Sequence, residues 1–417
     1  MPLPSLPNEI LAAIAELVED LADIRCLRLV SRAWAGAAHP QLFRRLDWGP
    51  YNSVKKAALL VLARPALAFA VKEIVLELIE GEDQRQSEIE KLFSMCTNLV
   101  CIIVTLETPP LLALAALRAA TSTKIRELYF WRALRTPEEL VAFTSYLDTC
   151  PNLARLGFEG VQIEDLDELG DDETGLALLK QSSTRHSLST LSLGVNHPSR
   201  IFKLLTSHSH ASLHNLHVEM RDEERDPLDL SPFTSLQQLY LWRDISEDED
   251  EDDPDREAIA FLQRCNAPPS LRHLSLDLDY NGHRIWRYLD SGSLLQAIPQ
   301  SISTLDIAGA MSETDQVVRF LKSLARSPTL TSLKLNIYKH PASRYSHAAV
   351  ARECRSLGIR YRLSLFDVVC IDKQKDGEYG SGRHELEGLC KELAWDGGEW
   401  EEPTSEAEET SSGEEGE

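Results

Sequence analysis

Apolar residues recur along much of this chain in one short pattern, apolar-x-x-apolar-x-apolar, clearest in Leu236-x-x-Leu239-x-Leu241, Leu271-x-x-Leu274-x-Leu276 and Leu330-x-x-Leu333-x-Leu335. The first positions fall at Val71, Leu99, Ile125, Leu153, Leu188, Leu213, Leu236, Leu271, Ile302 and Leu330, at intervals of 23 to 35 residues. The two-residue alternation that ends each copy predicts a short strand. Between copies the apolar spacing changes to three and four residues, as in Ile89-Leu92-Phe93-Cys96 and Val317-Phe320-Leu321-Leu324, which predicts helices. Thr136-Pro137-Glu138-Glu139 supplies a helix cap, a proline for the first turn and a Glu placed for a capping box. Upstream the spacing is helical throughout. Ile10, Leu11, Ile14, Leu17 and Val18 form a stripe behind Pro7, whose fixed φ suits a helix start. Asp20 can cap a second helix carrying Ile24, Leu27 and Val30, and Ser31 a third carrying Trp34 and ending before Pro40. Ser53 to Val71 reads as a bridging helix broken at Pro65.

A single strand-helix unit cannot bury its own apolar face, so such units stack into a solenoid with the strands on the inner wall. The spacing, with one strand per unit, is similar to that of leucine-rich repeats. The Asn or Cys that often follows the strand occurs only sporadically, as at Asn196, so the array resembles irregular repeats rather than a regular consensus. Gly358 to Asp367 offers an eleventh strand.

The N-terminal helices span about 40 residues, too few to bury so many large aliphatic side chains internally. Their apolar face requires either a partner or the following repeats, for which they would act as a cap. Leu6-Pro7-Asn8-Glu9-Ile10-Leu11, Leu29-Val30-Ser31-Arg32-Ala33-Trp34 and the exit Pro40-Gln41-Leu42-Phe43-Arg44-Arg45-Leu46 resemble the F-box. That resemblance implies docking on a small Skp-type adaptor and, through it, on cullin and RING subunits of a ubiquitin ligase. By position, Leu6, Pro7, Ile10, Ile14, Leu27, Val30 and Trp34 inherit the adaptor-binding roles. Ala15 stands where many family members carry Phe, a loss of apolar area that bears on the helices or on adaptor affinity.

The expected architecture is α/β: a three-helix F-box at 1–46, a linker helix at 47–70, an irregular leucine-rich-repeat solenoid of about ten repeats at 71–371, and an acidic, mostly disordered C-terminal tail at 372–417. A disordered acidic insertion interrupts the repeats at about 245–257, and Asp165 to Thr174 forms a second acidic loop. Leu386, Leu389, Leu393 and Trp395 could form one short helix docked on the last repeat.

Charge sharpens this picture. The net −23 is concentrated: residues 246–257 carry −8 and residues 396–417 carry −10, which leaves −5 for everything else. Such a balance disfavours contact with a phosphate backbone. The most apolar stretch, Ala57 to Val71, is too short to cross a membrane and is interrupted by Arg64-Pro65. With no secretory signal before the first helix, a cytoplasmic or nuclear protein is expected. Eight cysteines without a CxxC pair read as free, mostly buried thiols.

Strand alternation turns the residues between and just after the last two apolar positions toward the open inner wall. Tyr129 and Trp131 occupy such sites, as do Tyr240 and Trp242, within the near copies Leu128-Tyr129-Phe130-Trp131-Arg132 and Leu239-Tyr240-Leu241-Trp242-Arg243. These four are the target-binding candidates, since Tyr and Trp dominate interface hot spots. The alternative is that they pack against loops or the tail. Glu159, His217 and His273 fall on the same wall. Ser246, Ser405 and Ser412 each have an acidic residue three positions on and are candidates for phosphorylation by acidophilic kinases, in segments that otherwise serve solubility.

Catalytic motifs are missing. No HExxH, GxSxG or Walker pattern occurs, Gly380-Ser381-Gly382 lacks the flanking strand and helix of a phosphate loop, and His208, His210, His214 and His217 lack a completing carboxylate or cysteine. The expectation is a non-catalytic subunit with no metal or cofactor, whose repeats hold an unknown target protein. The competing reading is a free-standing repeat scaffold that binds basic proteins through its acidic segments.

Overall fold

The structure, a computed structural model, describes residues 6–18, 21–49, 52–77, 85–105, 108–160, 186–196, 199–219, 228–242, 254–277, 293–309, 318–319, 321–322, 329–337, 347–357, 359–363 and 368–373. Three helices come first: α1 (Asn8–Leu17), α2 (Leu21–Val30) and α3 (Arg32–Ala38). Pro7 is the N-cap of α1, at φ −54° and ψ 145°, so it precedes the first turn rather than forming it. Ser31 caps α3 by accepting the Trp34 backbone N–H on its hydroxyl at 3.2 Å, an arrangement typically worth ~1 kcal/mol. Asp20 lies outside the described residues.

Among the described residues, eleven parallel strands follow in chain order: β1 (Arg45–Trp48), β2 (Glu73–Leu76), β3 (Cys101–Val104), β4 (Glu127–Phe130), β5 (Arg155–Gly160), β6 (Thr190–Asn196), β7 (Asn215–Glu219), β8 (Gln238–Trp242), β9 (His273–Asp277), β10 (Thr304–Gly309) and β11 (Ser332–Ile337). Every pairing keeps the apolar pattern in register, for example Leu128↔Leu156 and Leu239↔Leu274. All ten residues from Val71 to Leu330 that begin the pattern are buried, none more than 3% exposed. In a stacked repeat array each strand is buried on the side that faces its connecting segment and against its neighbours, and the repeating apolar triplet supplies that buried side.

One backbone device recurs at every step. The carbonyl just after the first apolar position accepts two N–H groups from the next strand: Arg44 O takes those of Lys72 and Glu73, Lys72 O those of Val100 and Cys101, and so on to Ser303 O with Thr331 and Ser332. Side chains reinforce it. Ser189 Oγ donates to Ala154 O at 3.0 Å, and Thr331 Oγ1 to Ser303 O at 3.0 Å. Asn98 and Asn152, each just before a first apolar residue, donate to Phe69 O and Thr123 O one repeat earlier.

The ladder therefore begins one rung before the leucine pattern does. Phe43, Leu46 and Trp48 occupy the three apolar positions and are buried, and β1 pairs with β2 over Arg45–Trp48. Residues 47–70, read from the sequence as a linker helix, supply the end of β1, helix α4 (Asn52–Ala63) and a 3-10 segment Pro65–Ala70. Trp48, Ala58, Val61 and Ala68 from that stretch belong to the same core as the repeats. The rung is hidden in sequence because Phe and Trp replace Leu and because it overlaps the exit of the helical module.

At the far end, the strand expected within Gly358 to Asp367 exists as β12 (Ile359–Leu363), but it is not a further parallel repeat. It pairs antiparallel with β13 (Val368–Lys373), which lies between β11 and β12. Four residues separate β12 from β13, whereas a parallel return needs a crossover of a dozen or more. Residues 246–253 and 396–417 of the two acidic segments, the 165–174 loop, 386–395 and 380–382 lie outside the described residues. The end of the insertion expected to be disordered, 254–257, is instead the first turn of a helix, Pro254–Arg264, because Pro254 suits the first helical position.

Helices α5 (Gln86–Met95), α6 (Pro110–Ala119) and α7 (Pro137–Asp148) cover the outer side of the early strands. The capping box of α7 is formed: Thr136 Oγ1 accepts the Glu139 N–H at 3.2 Å, while Glu139 Oε2 accepts the N–H groups of Arg135 and Thr136. Phe143 of α7 packs between Phe130 and Phe158, its ring centroid 5.0 Å from each. Gly160, at φ 126°, ends β5 in a backbone region where a side chain would be strained, and its carbonyl accepts the Leu134 N–H at 3.0 Å.

Cys96, Cys150 and Cys265 are buried and Cys26 is exposed. Burial pushes the Cys96 thiol up to about 12 and that of Cys265 to about 11. We expect an aromatic disulfide reagent at pH 8 to label Cys26 within minutes and these three only after denaturation, as read by peptide mass spectrometry. Rapid native labelling of Cys96 would contradict the packing described.

Candidate functional site

Two surfaces present the residues singled out in the sequence. On the helical module the apolar stripe of α1 divides. Leu11 and Ala15 turn inward, and Ala15 is fully buried in a small cluster with Ile24 and Ala38. Ile10, Ile14 and Leu17 turn outward, with Ile10 47% and Leu17 81% exposed. They are joined by Leu6, Leu29 and Val30, the last two 87% and 65% exposed. A folded domain rarely leaves so many large aliphatic side chains in water without a partner.

Of the residues given adaptor-binding roles, Leu6, Pro7, Ile10, Ile14 and Val30 are exposed, Trp34 is half-buried, and Leu27 packs against the internal cluster. Ala15 is correspondingly a core position. A smaller side chain there changes the packing among the helices and removes nothing from the outer face. Leu17 and Leu29 were not among the named candidates. Leu17 completes the Ile10–Ile14 row, and that continuation was the available signal.

The module is held to the ladder by polar contacts. Glu16 forms an ion pair with Lys72, which lies just before β2, and Arg44 Nη1 donates to Glu16 O at 3.0 Å. The bond and charge from Lys72 hold the Glu16 carboxyl below its usual value.

The inner wall is the second surface. Tyr129 and Trp131 leave the same face of β4 and stack on each other, with centroids 6.2 Å apart at 24°. Both reach over Gly157 of the neighbouring strand, where an added Cβ would meet Tyr129 Cδ1 at 2.6 Å and Trp131 Cζ2 at 3.1 Å. Four strands further on, Tyr240 packs against the His217 ring at 5.3 Å and donates its hydroxyl to Asp277 Oδ2 at 2.7 Å. All four candidate aromatics are half-buried rather than fully exposed.

The electrostatics of the wall are one-sided. Burial, aided by the charge of Glu127, pushes the Tyr129 hydroxyl up, so it remains a donor, and it donates to Glu127 Oε2 at 3.4 Å. Burial pulls His217 down, which keeps its imidazole neutral at pH 7. His273 Nε2 faces Asp306 Oδ2 at 3.1 Å. Glu159 leans over Gly194, whose added Cβ would lie 2.4 Å from Glu159 Oε2. Gly157, Gly194, Asp277 and Asp306 were not singled out from sequence. Their signal was positional, since all follow the inner-wall phase of the repeat.

The histidine run does not converge. His210 lies edge-on to Phe233 at 5.3 Å while His217 packs at a tilt against Tyr240, and among the described residues no three of His, Cys, Asp and Glu form a metal-binding group. No described helix is long and apolar enough to cross a membrane. Ser246, Ser405 and Ser412 lie outside the described residues.

Comparison with known proteins bears on the helical module. Residues 3–47 match the F-box-like family model, so the exposed helical face belongs to an F-box-like domain whose last matched residues already form β1. F-box domains generally bind Skp-type adaptors. Among solved structures, the leucine-rich repeat-containing protein LegL7 from Legionella pneumophila is similar over 68% of this chain and 97% of that one, at 16% identity and a TM-score of 0.37. The repeat architecture is read from the ladder itself and not from that likeness. No curated protein matches the chain.

Proposed function

We propose that this chain is the non-catalytic substrate-recognition subunit of an SCF-type E3 ubiquitin ligase. The F-box-like helices dock on a Skp-type adaptor, the adaptor connects to cullin and RING subunits, and the repeat ladder holds the target protein. The observation that carries the reading is the row Ile10, Ile14 and Leu17 with Leu29 and Val30, exposed on a domain that matches the F-box-like model. Ubiquitin transfer then gains from proximity, because a tethered target meets the charged conjugating enzyme locally rather than by diffusion. The chain itself performs no chemistry in this scheme, and it works in the cytoplasm or nucleus.

Calorimetric titration of the purified chain with a Skp-type adaptor tests the proposal. We expect submicromolar binding with a negative heat-capacity change, the mark of apolar burial. A folded chain that shows no heat of binding up to ~100 μM adaptor would end the receptor reading, since that limit corresponds to less than ~6 kcal/mol of affinity.

A further inference from the structure

We propose that the inner wall between β4 and β9 binds an extended arginine-bearing segment of a partner protein, seated between Trp131 and Trp242. The inference rests on the reading above that the ladder holds a target, and it specifies the chemistry of that target. On the inner-wall positions of β4 to β10, four partly exposed carboxylates stand against one arginine: Glu127, Glu159, Asp277 and Asp306 against Arg155, while Glu219, in the same phase, is buried. Arg155 is already engaged with Glu127, at 3.4 Å. His217 adds no cation, because burial keeps it neutral. Charge complementarity therefore selects a cationic ligand and opposes a phosphate backbone.

The aromatics select among cations. A guanidinium is planar and weakly hydrated, and it can stack on a Trp or Tyr face while its edge donates to a carboxylate. Trp131 has Glu159 at the equivalent position of the next strand, and Trp242 has Asp277, its register partner on β9. Each tryptophan is thus paired with an acidic neighbour on one side. Gly157 and Gly194 make this possible, since a side chain at either would collide with Tyr129 and Trp131 or with Glu159. The two aromatic pairs are four strand spacings apart, about 19 Å, which an extended segment of about six residues spans.

The test is fluorescence anisotropy of the full chain with a labelled peptide of four Gly-Ser-Arg repeats at physiological salt, against the same peptide with Gln for Arg. Because the acidic segments attract any cation, the deciding variants are in the wall: Trp131→Ala with Trp242→Ala, and Glu159→Gln with Asp277→Asn. Gly157→Val adds a third, which displaces the Tyr129–Trp131 stack without removing either ring. We expect the arginine peptide to bind at least ten times more tightly than the glutamine peptide, and each variant to erase most of that difference with the far-ultraviolet circular dichroism unchanged. Equal binding by wild type and all folded variants would overturn the inference, since the acidic segments alone would then account for the peptide. Adaptor titration on the same samples separates the two readings. Normal adaptor binding without peptide discrimination overturns the wall's ligand class and leaves the receptor role standing, whereas the reverse result supports the wall and removes the receptor role.

Discussion

Replacing Ile10 and Ile14 together by Asp is expected to weaken adaptor binding at least a hundredfold while leaving the repeat ladder folded. Both side chains point away from the internal cluster of Ala15, Ile24 and Ala38, at 47% and 38% exposure, so little native packing is lost. Burial of one large aliphatic side chain contributes about 1.5–3 kcal/mol, and part of that area is still available to a partner here. Substituting a carboxylate removes this gain and adds the penalty of placing a charge against an apolar surface. Two such sites exceed the ~2.8 kcal/mol that corresponds to a hundredfold. Leu111→Asp is the matched control, an equally drastic change at a side chain 66% exposed on α6, far along the chain from the F-box-like helices. Calorimetry should show binding for the control and none for the double variant. Full binding by the double variant would move the adaptor contact off this face.

Phe143→Ala is expected to be the most damaging single truncation, lowering the local stability of the β4–β5 region by about 3–5 kcal/mol. Phe143 is 1% exposed and its ring lies 5.0 Å from both Phe130 and Phe158, so one deletion opens a cavity between two consecutive repeats and breaks two aromatic contacts. In a stacked array each unit is stabilised chiefly by its neighbours, so the loss should be felt locally before it is felt globally. Hydrogen exchange should therefore accelerate by roughly a hundredfold or more in Glu127–Phe130 and Arg155–Gly160. Amides of His273–Asp277, several repeats away, should change far less. Uniform acceleration along the whole ladder would show that the repeats unfold as one unit.

Much of the ladder was legible from single residues because the relevant physics is local. In Leu236-x-x-Leu239-x-Leu241 the last two apolar positions alternate along a strand, and that alternation needs no knowledge of the rest of the chain to place both on one face. The capping box at Thr136 was readable for the same reason, since all its groups lie within four residues. The rung at Phe43, Leu46 and Trp48 was not, because only pairing with Glu73–Leu76 distinguishes it from the exit of a helical module. The antiparallel placement of Ile359–Leu363 similarly depends on Val368–Lys373 entering the sheet beside β11.

The candidate surfaces divide along the same line. Helical spacing identified the apolar set of α1, and the resemblance supplied a role for it, but spacing alone could not say that Leu11 and Ala15 are inside while Ile10, Ile14 and Leu17 are outside. That choice is made by α2 and α3, which cover one side of the helix only. On the wall, the repeat phase placed Tyr129, Trp131, Tyr240 and Trp242 on one face, yet their half-burial comes from neighbouring strands: a glycine at 157 that lets two rings lean over, and Asp277 that accepts from Tyr240. The sequence by itself determined the periodic order, the inward leucines and the acidic balance, because periodicity and charge are properties of the chain. Only the tertiary structure decided where the ladder starts and ends, which aliphatic residues remain exposed, and how the aromatics and carboxylates meet. Those outcomes depend on contacts between residues about thirty positions apart, a separation that no local pattern records.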